Sequence, residues 1–139
     1  MNSPSQIYCV VRKKWVDRTP EEEVRQHIIK YLNAACDIPL HLMVCEYPIK
    51  HLGHRADLVV HNRNGLPFIL AEFKAPAVVL NNNVLEQIRR YNETLRAAYL
   101  LISNGITTLF WIFNKKTNRY EPMKNIPPFE ELLNNTHHE

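Results

Sequence analysis

An α/β sandwich, with a mixed sheet held between helices, is the fold class the sequence predicts, and three patterns carry that reading. Two runs of strand formers, Val59-Val60 and Phe68-Ile69-Leu70, lie on either side of Asn64-Gly65, the pair that a tight type I′ hairpin turn requires. Two stretches, near 20–35 and 84–98, repeat apolar residues at helical spacing. Short apolar runs at 99–102 and 106–113 add strands after the second helix. The predicted order is helix, three strands, helix, strand, with further strands at the end.

Residues 1–6 are polar and expected to be loose, and 7–11 (IYCVV) has the composition of a short edge strand before the basic Arg12-Lys13-Lys14. Residues 17–23 read as a helix start. Thr19 can cap, Pro20 suits the first helical position, and Glu21, Glu22 and Glu23 favour the positive end of the macrodipole. Val24, Ile28, Tyr31, Leu32 and Ala35 then make one face for packing on the sheet. The DIPLH segment at 37–41 breaks the helix, and 42–49 forms a strand ended by Pro48. After the central hairpin, Asn83 caps a second helix whose stripe is Leu85, Ile88, Tyr91, Leu95 and Ala98. Asn104-Gly105 turns between two strands, and 119–123 adds a last edge strand. The segment 125–135 makes at most one helical turn, and the closing THHE frays.

The chain's 139 residues suffice for one domain with a proper core, spanning 1–139, and are too few for two ordinary ones. A hydrophobic share of 45% with 22% charged residues argues against disorder. The net charge of +3 permits an anionic partner without identifying one. Cys9, Cys36 and Cys45 are odd in number and hold no CxxC, which favours a reducing, cytoplasmic setting. No apolar run reaches the roughly 18 residues of a membrane span, so no membrane partner is expected.

The chemistry concentrates in the hairpin. Asp57 opens its first strand, while Glu72 and Lys74 close the second and, two apart, leave the sheet on one face. All three lie in or beside apolar runs, where burying charge costs several kcal/mol or more unless the charges pair or hold a metal, at roughly that order. Hard cations such as Mg²⁺ take oxygen ligands, so Asp57 and Glu72, with the backbone carbonyl of Phe73 as a third ligand, suit one. Lys74 then stands where it can orient a nucleophilic water or stabilise charge on a phosphate. In the second helix Gln87 and Tyr91 are four apart and share a face, where they read either as a surface amide with a core aromatic or as groups reaching the site.

Five blocks together identify a resemblance: TPEEEVRQHIIKYL (Thr19 to Leu32), RADLVV (Arg55 to Val60), LAEFKAP (Leu70 to Pro76), EQIRRYN (Glu86 to Asn92) and ISNG (Ile102 to Gly105). Spread over about residues 15–113, they resemble the PD-(D/E)XK nuclease superfamily, and within it the N-terminal nuclease domain of type I restriction enzyme R subunits. The resemblance implies a restriction-endonuclease-like αβββαβ core and a Mg²⁺-dependent endonuclease, with Mn²⁺ as a substitute and double-stranded DNA as substrate. It places Asp57 and Glu72 as metal-binding acids and Lys74 as the catalytic lysine. Gln87 and Tyr91 match the QxxxY motif of this branch, with roles in positioning the lysine or contacting DNA. The family's first-helix acid falls at Glu21 or Glu22. Glu22 is favoured by its place two residues before Val24, the phase of Val24, Ile28 and Leu32 favours Glu21, and service to the helix dipole accounts for either. R subunits continue into an ATP-driven translocase, and this chain has no GxxxxGK[ST] loop. It is expected to act alone or beside partner chains of a restriction or repair system.

Two other function classes stay open. A non-catalytic nucleic-acid-binding or assembly module fits the modest charge, which gives little grip on a phosphate backbone, and a structural subunit would contact protein alone. Cys36, His41, Cys45 and His51 match no standard zinc spacing, whereas His54, beside Arg55, suits a phosphate contact near the site.

Overall fold

The structure, a computed structural model, describes residues 5–137. The expectations for 1–4 and for the last two residues lie outside the described residues, while Thr136 and His137 belong to a helix. β1 (Gln6–Cys9) and β2 (Lys14–Asp17) form a separate antiparallel hairpin, so the predicted strand at 7–11 ends two residues early. Lys13, at φ 56°, turns the chain with its N–H on the Cys9 carbonyl at 2.8 Å. The basic cluster had concealed β2, whose Trp15 and Val16 follow that turn.

α1 (Pro20–Ala34) starts as predicted, with the Thr19 hydroxyl accepting from the Glu22 N–H at 3.0 Å. Its buried stripe is Val24, Ile28, Ile29 and Leu32, continued by Cys36. Tyr31, 45% exposed, and Ala35 face away from it. The predicted stripe leaned to the wrong side because 28 and 29 are both isoleucine, and each residue turns the face by about 100°. After the 3₁₀ turn Leu40–Leu42, β3 (Met43–Ile49) contains Pro48 instead of ending at it. An edge strand tolerates this proline, since β3 pairs with β4 alone.

β4 (His54–His61) and β5 (Pro67–Phe73) form the predicted hairpin, yet its turn is longer than Asn64-Gly65 implies. The Asn62 carbonyl accepts from the Gly65 N–H at 3.0 Å and the Asn62 N–H donates to Leu66 at 2.9 Å. Gly65 takes the left-handed conformation at φ 78° and Asn64 does not, the pattern of a three-residue loop rather than of type I′. Asn62 decides the turn, because its side-chain oxygen accepts from the N–H groups of both Asn64 and Leu66. α2 (Asn82–Leu95) is capped by Asn81, not Asn83: the Asn81 side chain takes the N–H groups of Asn83 and Val84.

β6 (Tyr99–Ser103), β7 (Thr108–Asn114) and β8 (Arg119–Met123) complete a sheet of order β3-β4-β5-β6-β7-β8, in which only β5 and β6 run parallel. The crossover through α2 makes that parallel pair. α3 (Phe129–His137) is more than the single turn expected of this segment. Pro127 and Pro128 precede the helix instead of breaking it, and Phe129 and Leu132 bury completely on the α1 side. α2 covers the other face with Ile88 and Tyr91 against Val59, Leu70, Leu100 and Ile102. The chain is thus an α/β fold with a six-stranded mixed sheet and the order α1-β3-β4-β5-α2-β6. No described helix is long and apolar enough to cross a membrane.

Because α3 plugs the core with a ring, Phe129→Ala is expected to destabilise the fold by about 3–5 kcal/mol. Urea unfolding checks this; a loss under about 1 kcal/mol would show that α3 is dispensable.

Candidate active site

The β4–β5 ladder pairs Val60 with Ile69, Val59 with Leu70 and Leu58 with Ala71, and stops before Asp57 and Glu72. On the other side of β4, pairing with β3 skips Asp57 and Glu46, and Glu46 adopts φ 56°. Asp57 therefore leaves both ladders, and its polar groups find other partners. Its carboxylate Oδ2 accepts from the Phe73 N–H at 2.7 Å. Its carbonyl accepts from Arg25 Nη1 at 3.0 Å, and its N–H makes a long 3.4 Å contact with Glu72 Oε1. A side chain has replaced a strand-to-strand bond, and the strands fork there.

Glu72 is 7% exposed. Burial, then the Asp57 charge and a carboxyl contact with Asp57, push its pKa well above the usual carboxylate range, with Lys74 pulling it back. Lys74 continues the β5–β6 ladder, its N–H on the Ser103 carbonyl at 2.9 Å, and is half-buried. From α2, Tyr91 reaches the same neighbourhood. Burial raises its pKa first, the charges of Glu72 and Asp57 add to that, and a hydrogen bond with the exposed Gln87 opposes it. His54 stacks on the Tyr91 ring, with centroids 4.5 Å apart and planes 26° from parallel. Asp57, Glu72, Lys74, Gln87, Tyr91 and His54 are thus brought together.

The first-helix acid lies one step away. Glu22 is buried and Glu21 exposed, opposite to the phase argument that favoured Glu21. Both Glu22 oxygens are engaged: Arg12 Nη2 at 2.8 Å from each, Arg25 Nη2 at 2.5 Å and Nε at 3.1 Å, and Gln26 at 2.9 Å. Glu22 therefore meets Asp57 through Arg25, whose other nitrogen holds the Asp57 carbonyl. A cleft of about 420 Å³ joins Arg12, Glu22, Arg25, Glu46, Asp57 and Phe73. Arg12 and Arg25 were missed in the sequence. The available signal was Arg25 itself, a charge placed next to Val24 and three residues before Ile28 on the buried stripe.

Among the described residues no group of three or more His, Cys, Asp and Glu side chains gathers as a metal cluster. Cys36 instead sits in the core against α1 and α3. A cation at the fork would therefore rest on Asp57 and Glu72, with backbone or water oxygens, a donor set that suits a hard divalent ion. The carboxyl pair fits such an ion because its two like charges press on each other in a buried place.

Fold order and forked acid pair define a restriction-endonuclease-like α/β protein. The family model described as type I restriction enzyme R protein N terminus (HSDR_N) matches residues 20–127, and the chain belongs to that family. It is a restriction-enzyme-related, nuclease-like domain. No curated protein matches the chain.

Although burial works against the Glu22 carboxylate, hydrogen bonds from Arg25, Gln26 and Arg12 outweigh it and lower its pKa from 4.5 to about 2. A depressed folded-state pKa gives stability that is present above 4.5 and lost as pH falls toward 2, worth about 3 kcal/mol. Acid titration of stability is expected to show this loss, and Glu22→Gln to remove it. At neutral pH the same substitution leaves two arginines without their carboxylate and is expected to cost about 3–5 kcal/mol. Chemical denaturation measures both; an unchanged acid limb in Glu22→Gln contradicts the assignment.

Proposed function

We propose that the chain is a Mg²⁺-dependent endonuclease-like domain that hydrolyses DNA phosphodiester bonds, and the observation that carries this reading is the Asp57–Glu72 carboxyl pair at the strand fork. An apolar alternative would pack better, since buried like charges are unfavourable by several kcal/mol, at roughly that order. Asp57 and Glu72, with the Phe73 carbonyl, would hold Mg²⁺ or Mn²⁺. When bound, the ion supplies Lewis-acid polarisation of a phosphate and a lowered pKa for the attacking water.

The chain's own groups do the rest. The Lys74 ammonium orients the nucleophile or stabilises charge developing on the phosphate. Tyr91, braced by His54 and joined to Gln87, closes the α2 side of the site against Glu72 and offers a hydroxyl for positioning Lys74 or a backbone phosphate. Glu22 is a positioning residue: it fixes Arg25, and Arg25 holds the Asp57 carbonyl where the ladder no longer does. Membership of the R-protein family supports double-stranded DNA as the substrate and a restriction system as the setting.

Supercoiled plasmid with Mg²⁺ tests the reading. The protein is expected to nick or cleave it, EDTA to abolish the activity, and Lys74→Ala to lower the rate about 10²-fold or more with an unchanged circular dichroism spectrum. Equal activity in Lys74→Ala overturns the proposal. One other reading is a non-catalytic nucleic-acid-binding or assembly module of the same fold, since a net charge of +3 gives little unaided grip on a phosphate backbone; salt-sensitive DNA binding without turnover in Mg²⁺ or Mn²⁺ is its signature.

A further inference from the structure

A second, larger cavity of about 990 Å³ opens at the other end of the central hairpin. Asp57 and Glu72 stand at one end of β4 and β5, whereas Asn62 and Pro67 line this cavity from the other. Glu72 lies four positions beyond Phe68, roughly 13 Å of strand at 3.3 Å per residue. No residue of the acid site lines it. The end of α2 with the residues after it, β7 and β8 with their turn, and Thr136 of α3 supply the remaining walls.

Charge in this cavity is one-sided. Arg89, Arg96 and Lys115 line it against Glu93 alone. Arg89 pairs with Glu86 at 2.9 Å and lies 5.5 Å from the centre of the Tyr120 ring. Arg96 and Lys115 form no ion pair among the described residues. Arg96 also holds φ 56° at the end of α2, a left-handed conformation that favours glycine over a long side chain. The negative end of the α2 dipole opposes an anion, yet it amounts to about half a charge. Asn92 already caps that end, donating to the Ala97 carbonyl at 3.0 Å and accepting from its N–H at 2.8 Å. Phe113 and Tyr120, ring centres 5.0 Å apart and both half-buried, give the same cavity an aromatic wall.

We propose that this cavity binds a nucleotide, free or as the terminal unit of a nucleic-acid strand, with Arg96 and Lys115 on its phosphate and the Phe113–Tyr120 wall against its base. Unpaired cations answer the phosphate, and aromatic faces accept any base. Phosphate alone would leave the aromatic wall unused.

Calorimetric titration in EDTA tests this with three probes: AMP, pyrophosphate and a 5′-phosphorylated oligothymidine. AMP is expected to bind more tightly than pyrophosphate. The double substitution Arg96→Gly with Lys115→Gln is expected to weaken AMP by about tenfold or more, the scale of losing charge-assisted hydrogen bonds. Glycine suits the backbone at 96, so the melting temperature of that variant is expected to hold and to report an intact fold. Tighter binding of the oligonucleotide than of AMP identifies a strand end as the source, and the reverse order identifies the free nucleotide. Absence of AMP and oligonucleotide binding at millimolar concentration overturns the proposal, as does equal binding of AMP and pyrophosphate or unchanged affinity in the double variant. Lys74→Ala is expected to bind AMP normally. Loss of binding there would place the ligand at the acid pair and overturn the assignment without bearing on nuclease activity.

Discussion

Asp57 takes the Phe73 N–H with its side chain, and the rest of the site depends on that substitution. In an unbroken antiparallel ladder that N–H would belong to the backbone of the facing strand. With a carboxylate in its place, β4 and β5 part after Leu58 and Ala71, and the next residue of each strand, Asp57 and Glu72, turns a carboxyl group toward the other. The fork is held because the groups released at Asp57 and Phe73 meet side chains instead of the facing strand. Arg25 takes the Asp57 carbonyl, and among the described residues no buried side-chain nitrogen or oxygen lacks a partner.

Two charge clusters of opposite character flank this fork. On the α1 side, Glu22 with Arg12, Arg25 and Gln26 is saturated with hydrogen bonds, and its carboxylate is strongly favoured in the charged form. On the α2 side, Glu72 is buried beside a like charge, and its charged form is disfavoured. The first cluster holds backbone in place; the second is where positive charge from outside is most wanted. One acid of the pair-and-helix set thus acts through arginines, while the other two face each other, a division of labour that residue type alone does not reveal.

Much of this was legible in the sequence because it depends on period and order. The two-residue spacing brought Lys74, just past the end of β5, into electrostatic reach of Glu72, the four-residue spacing put Gln87 beside Tyr91, and Thr19-Pro20 fixed the start of α1. What escaped depends on contacts between distant segments. Nothing local marks Arg12 as a partner of Glu22 ten residues on, or Arg25 as the support of Asp57. Turn chemistry misled where a second asparagine competed: Asn62 and Asn81 took roles that Asn64-Gly65 and Asn83 seemed to hold. α3 was underrated because paired prolines look like breakers, although Phe129 and Leu132 after them bury completely in the core.

Metal uptake at the fork tests the central claim most directly, since it needs neither the right substrate nor the right partner chain. Mn²⁺ binding followed by electron paramagnetic resonance is predicted to be saturable in the wild-type chain and displaced by Mg²⁺. In a chain carrying both Asp57→Asn and Glu72→Gln, which keeps the shape of the fork and removes its charge, that binding is predicted to vanish. Undiminished Mn²⁺ binding in the double variant, or none in the wild-type chain, would contradict the account.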